Sequence, residues 1–181
     1  MITNEEFWVT LHKLYKYVLD EDSIITVVLK GHLLIENHID SLLNTVLVEP
    51  SVLDLCRMYL PQKLDILVAV GVISKADAIA YRKFNQMRSK FAHNIDYELT
   101  NEDIRVIVES FTAKHKILFK KSEFDKETNT INRLKTVIQP LLYLLIFQNA
   151  VDEVGEKSPH QQLDVADIER TIKNARENND Y

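Results

Sequence analysis

The chain has 181 residues, 46% of them apolar and 27% charged, an ordinary globular balance rather than that of a disordered segment. Only 3 glycines and 4 prolines are present, too few turn-formers for a strand-rich sandwich or barrel. A net charge of −5 argues against a global basic field that would draw in nucleic acid. Helices joined by few loops are the expectation.

The acidity is concentrated at the end. From residue 150 onward, Asp152, Glu153, Glu156, Asp164, Asp167, Glu169, Glu177 and Asp180 face only Lys157, Arg170, Lys173 and Arg176. The remainder is near neutral and has room for local basic patches. Cys56 is the single cysteine, so neither an internal disulfide nor a cysteine-based zinc site is expected, and a reduced cytoplasmic setting fits. The start, MITNEEFW, lacks a signal peptide's basic and apolar regions, and no apolar run reaches membrane-span length. No membrane partner is expected.

In chain order, Thr3 and Glu6 form a capping box opening a helix to about residue 20, with Phe7, Leu11, Leu14 and Val18 on one face. Asp22 or Ser23 caps a helix over roughly 24–47 whose apolar residues run nearly all round, so it is placed in the middle of a bundle. Pro50 stops it. A short helix near 51–58 follows, and Pro61 opens a helix ending at a Gly71 C-cap. Ser74 with Asp77 caps 75–94, and Thr100 with Asp103 caps 101–119. The stretch KKSEFDKETNT reads as a polar connection, and a long apolar helix over 130–151 contains Pro140 as a kink. Asp164 caps a charged last helix. The expected organisation is an all-α, single-domain up-and-down bundle over 1–151, a linker at 152–163, and a charged C-terminal helix and tail at 164–181.

The segment YRKFNQMRSKFAH, residues 81–93, carries the candidate chemistry. At about 100° per residue, Ala80, Phe84, Met87 and Phe91 share a core stripe. Arg88 and His93 flank the opposite side, about 140° apart, with Asn85, Ser89 and Ala92 between them. Arg82, Lys83, Arg88 and Lys90 make this the strongest local basic patch in the chain. Such a face suits a dimer contact or a phosphate.

Arg88-Ser89-Lys90-Phe91-Ala92-His93 resembles the Arg-x4–6-His motif of HEPN domains. Gly31-His32-Leu33-Leu34-Ile35-Glu36, with Ile39 and Leu42-Leu43, resembles a helix of mannitol operon repressor-like helical proteins, as do Leu60-Pro61 with Lys63-Leu64 and Ala69 with Gly71-Val72-Ile73. The likeness covers roughly residues 24–110. It implies a HEPN-like bundle that forms a homodimer through the face of helix 75–94, with RNA as substrate, no cofactor and no metal. It further implies Arg88 and His93 as the catalytic pair, supported by Glu36, Asn85 and Ser89, with Arg82, Lys83 and Lys90 as RNA contacts. Ser89 stands where the motif often carries Asn.

Chemically, the 2′-hydroxyl of RNA attacks the adjacent phosphorus, given a proton acceptor, a donor and a cation. An imidazole moves protons near neutral pH, and a guanidinium offers a planar fork of donors to phosphate oxygens. The reading is a toxin or host-defence endoribonuclease held in check by an inhibitory protein. The alternative is a non-catalytic regulator, like the mannitol operon repressor group, acting through protein contacts.

Glu36 shares a stripe with Ile25, Leu29, Leu43 and Leu47, so it needs a cation, and Arg88 is the first candidate. His32 and Glu36, four apart, lack further ligands for a metal site. His12, His115 and His160 read as surface histidines, Cys56 as a buried inert thiol, and Gly31 as a point of close helix packing or a local break. Lys114, Lys116, Lys120 and Lys121 form a second basic cluster at a helix end.

Overall fold

The computed structural model describes residues 15–154, 162 and 164–177. The expected box of Thr3 and Glu6, the apolar face of Phe7, Leu11 and Leu14, the histidines His12 and His160, and most of the 152–163 linker lie outside them. Among the described residues every regular element is helical, so the all-α expectation holds. None of these helices is long and apolar enough to cross a membrane.

A π-helical turn at Tyr15–Leu19 leads into α1, Ile24–Val46, where the Ser23 hydroxyl accepts from the Thr26 N–H as an N-cap should. The expected 51–58 helix is two separate 3-10 turns, Pro50–Val52 and Leu55–Arg57. Cys56 lies in the second and is exposed, which corrects its expected burial: an irregular connection has no core to face. Helix α2 spans Leu60–Ala69. Its exit is a Schellman turn in which Val72 N–H reaches Leu67 O at 2.9 Å and Gly71 N–H reaches Val68 O at 3.2 Å. Gly71 takes a φ of 84°, the left-handed region where a side chain would be strained.

Helix α3, Lys75–His93, begins at Ser74 as expected. The expected 101–119 helix is broken into α4, Asn101–Glu109, and α5, Ala113–Leu118. Ser110 turns its hydroxyl back onto Ile107 O at 2.6 Å, and Thr112 adopts extended backbone to cap the next turn. These local side-chain bonds compete with helix continuation. The polar connection contains α6, Lys121–Lys126, held by buried Phe124, which packs on Phe119 and lies under Arg133. Helix α7, Thr130–Val154, carries Pro140 inside it and outruns the expected end. Helix α8, Val165–Glu177, starts on a reciprocal pair in which Asp164 and Asp167 each accept the other's backbone N–H.

Helix α1 packs along α7 and touches α2 and α3, which puts Ile35, Ile39, Leu42 and Leu43 against Val137, Ile138 and Leu141. Each such side chain removed from water contributes about 1.5–3 kcal/mol. At Gly31 α1 comes close to its neighbours: a Cβ there would sit 3.0 Å from Ile138 Cδ1 and 3.4 Å from Phe84 Cζ. The close-packing reading of Gly31 is thus supported. The expectation that α1 is buried all round is corrected. Ile25, Leu29 and Leu33, each four residues on, form an exposed row that no described element covers, with Ile25 53% and Leu33 57% accessible.

Candidate functional site

Side chains four apart on a helix lie one above another. Helix α1 therefore presents His32, Glu36 and Asp40 as a ladder continuing the Ile25–Leu29–Leu33 row. Helix α2 meets it with Lys63, whose side chain is only 2% exposed. Its ammonium donates to Glu36 Oε1 and Asp40 Oδ2, both at 2.9 Å. Burial pushes the Lys63 pKa down, but the bonds to Asp40 and Glu36 outweigh it and leave the group above its ordinary 10.5. This contribution to stability is present below pH 10.5 and is lost as pH rises through the higher folded value. Lys63, not Arg88, is the cation that Glu36 requires, which corrects the expected pairing.

Helix α3 supplies the other wall. Ala80, Phe84 and Met87 face the core, so the outward stripe holds Asn85, Arg88 and Ser89 at intermediate depth. His32 Nε2 lies 2.9 Å from Asn85 Oδ1, and His32 Nδ1 lies 3.7 Å from Glu36 Oε2. The Ser89 hydroxyl donates to Asn85 O at 3.0 Å. Arg88 stands beside this group with no ion pair among the described residues, and its Nε is buried without an acceptor. Five residues on, His93 is the last residue of α3 and is exposed. No hydrogen bond joins it to Arg88.

The other three cations of the basic patch are engaged within the fold. Arg82 pairs with Asp65 of α2 at 2.6 Å, Lys90 pairs with Asp103 of α4 at 2.6 Å, and Lys83 donates to Val106 O at 3.1 Å. Asp103, favoured as a carboxylate by Lys90 and Thr100 against the opposing effect of burial, is held at about 2. Two of the four charges in the basic patch are therefore neutralised from neighbouring helices, Lys83 is bonded to a carbonyl, and Arg88 has no acceptor among the described residues. Among the described residues, no group of three or more His, Cys, Asp or Glu side chains is placed to hold a metal ion.

A second polar cluster was not foreseen. Asp77, 2% exposed, accepts from Ser74 Oγ, Thr112 Oγ1 and Lys114 Nζ at 2.7–2.8 Å. Burial raises its pKa, but those donors win and hold it below the usual range. Lys114 is thus committed to an ion pair rather than to a free basic cluster. His115, expected at the surface, is fully buried against Phe111 and Tyr81. The Thr112 hydroxyl donates to Asp77, and His115 Nδ1 accepts from the Thr112 backbone N–H at 3.4 Å, with Thr112 Oγ1 2.9 Å away. Nε2 is buried with no partner among the described residues, so the charged ring would carry an N–H that nothing accepts.

Burial accordingly pushes His115 from 6.5 down to about 4, against the pull of Asp77. The folded chain prefers the neutral ring, so its contribution is intact above pH 6.5 and is lost as pH falls toward 4. Unfolding measured at pH 7.5 and pH 5 is expected to show a loss on the order of 2 kcal/mol from this group. His115→Phe should remove most of that slope, leaving the share of His32, which burial also holds below 6.5. A slope unchanged in His115→Phe would remove the assignment.

Compared with protein-family models, curated proteins and solved structures, the chain matches none.

Proposed function

We propose that the chain is a metal-independent endoribonuclease of HEPN-like architecture that works as a homodimer. The observation carrying this reading is Arg88, a half-buried guanidinium that no described carboxylate neutralises, beside two other cations of α3 that are neutralised. An arginine kept as a structural anchor would have taken Glu36, and Lys63 holds that carboxylate instead. An unpaired guanidinium at this depth suits a phosphate oxygen.

Arg88 and His93 lie about 140° apart around α3 and about 7.5 Å along its axis, so one helix does not turn both onto one phosphorus. Two α3 helices meeting about a two-fold axis bring Arg88 of one copy near His93 of the other. An imidazole removes the proton of the 2′-hydroxyl, the oxygen attacks phosphorus, and the 5′-oxygen leaves with a proton supplied by the second imidazole. The products are a 2′,3′-cyclic phosphate and a 5′-hydroxyl, with no water consumed. Arg88 steadies the charge gathering on the non-bridging oxygens. DNA, without the 2′-hydroxyl, is inert, and single-stranded or loop RNA is the favoured substrate. An activity of this kind fits a toxin or defence effector and needs an inhibitory partner in the cell that makes it.

The non-catalytic regulator reading draws its support from the exposed row Ile25, Leu29 and Leu33, an apolar surface fit for a protein contact. Incubation of the purified chain with mixed RNAs in excess chelator separates the two. Cyclic-phosphate ends on RNA, with matched DNA intact, are the expected result. Intact RNA would leave the regulator.

A further inference from the structure

His32 has no role in the chemistry above, yet it is buried and specifically bonded. Its Nε2 faces an amide oxygen, Asn85 Oδ1, and an amide oxygen can only accept. Nε2 therefore carries the ring proton and donates it. That bond sets the rotation of the Asn85 amide and turns its NH2 away from the ring. Among the described residues the Asn85 NH2 makes no hydrogen bond. Three residues on, and so on the same side of α3, the Arg88 guanidinium also has no acceptor among the described residues, and its Nε is buried. The junction of α1 and α3 thus gathers amide and guanidinium donors with no acceptor for either among the described residues. Asn85 and Arg88 are both partly exposed, so an anion arriving from solvent can reach these donors.

The charges around His32 agree with a ring that carries one proton. Burial lowers its pKa, Asn85 and Glu36 raise it, and Arg88 and Lys63 lower it, the balance lying below 6.5. Glu36 on its own helix, Lys63 of α2 and Arg88 of α3 are the charged groups facing it.

We propose that His32 is a positioning residue that locks the Asn85 amide, so that its NH2 and the Arg88 guanidinium together grip one phosphodiester of RNA. The ribonuclease reading supplies the identity of the anion, and the grip itself is argued from the unfilled donors.

A 2′-O-methyl RNA oligomer tests this, because its blocked hydroxyl allows binding without cleavage. Asn85→Ala and His32→Ala are each expected to weaken its Kd about tenfold, the scale of one charge-assisted hydrogen bond. The double variant should bind no more weakly than Asn85→Ala alone, since His32 acts through that amide. His32→Gln, which can still donate an N–H to Oδ1, should recover most of the affinity, and a thermal melt of each variant confirms folding. Effects of His32→Ala that add fully to those of Asn85→Ala, or that His32→Gln does not relieve, overturn the inference. Wild-type protein that binds the oligomer in this pattern but leaves unmodified RNA whole keeps the inference and loses the nuclease. Protein that cleaves RNA while His32→Ala binds the oligomer normally does the reverse.

Discussion

Arg88→Ala is expected to slow RNA cleavage by about a hundred- to a thousandfold, and His93→Ala by about a hundred- to ten-thousandfold. The two losses have different origins. Arg88 places a fixed positive charge where negative charge accumulates, and no described carboxylate forms an ion pair with it. His93 sits exposed at the end of α3 and makes no side-chain hydrogen bond or ion pair among the described residues, so the variant should melt like the wild type. Arg88 is half-buried, and Arg88→Lys is the useful companion. It retains the charge but loses the fork, so it should recover only part of the rate. Product formation followed in chelator, with melting curves alongside, decides the matter. Cleavage that persists in His93→Ala would remove this histidine from the chemistry.

The second large effect concerns stability. Replacing both Glu36 and Asp40 by their amides, Glu36→Gln with Asp40→Asn, should cost about 3–5 kcal/mol. The size follows from which partner is left behind. Lys63 is 2% exposed, so without its carboxylates the ammonium is stranded in the interior. Lys63→Met should cost less, because Glu36 and Asp40 are each more than a quarter exposed and can recover water. The urea midpoint, compared at constant slope, gives the measurement. A loss below about 1 kcal/mol in the double variant would mean that the lysine stem swings out to solvent.

Much of the helical frame could be read from local chemistry. Ser23, Ser74, Thr100 and Asp164 each stand where a helix begins, and Gly71 stands where one ends. The core stripe of α3 was equally plain, because Ala80, Phe84 and Met87 repeat at helical spacing. These signals lie within a few residues of what they specify. The break at Ser110–Thr112 was less visible, since the apolar spacing continues across it and the competing bonds come from hydroxyls.

Partnerships between helices were not readable in this way. Glu36 finds Lys63 across 27 positions, Arg82 finds Asp65 across 17, and Lys90 finds Asp103 across 13. Sequence shows that a carboxylate on an apolar stripe needs a cation but not which helix delivers it. His115 is the same case in reverse: it sits among lysines in sequence, yet the turn at Thr112 drives it between Phe111 and Tyr81. The available signal was Asp77, a buried acid whose partners had to come from somewhere.

The crowding at Gly31 bears on the junction next door. Gly31 meets Phe84, and the very next residues on the two helices, His32 and Asn85, make the hydrogen bond that joins α1 to α3. The separation of the two walls is therefore gauged by hydrocarbon, one step away from the polar atoms that use it. A bulky shim at position 31 would stretch that bond without touching a single donor, and a defect born of volume would present itself as a defect of recognition.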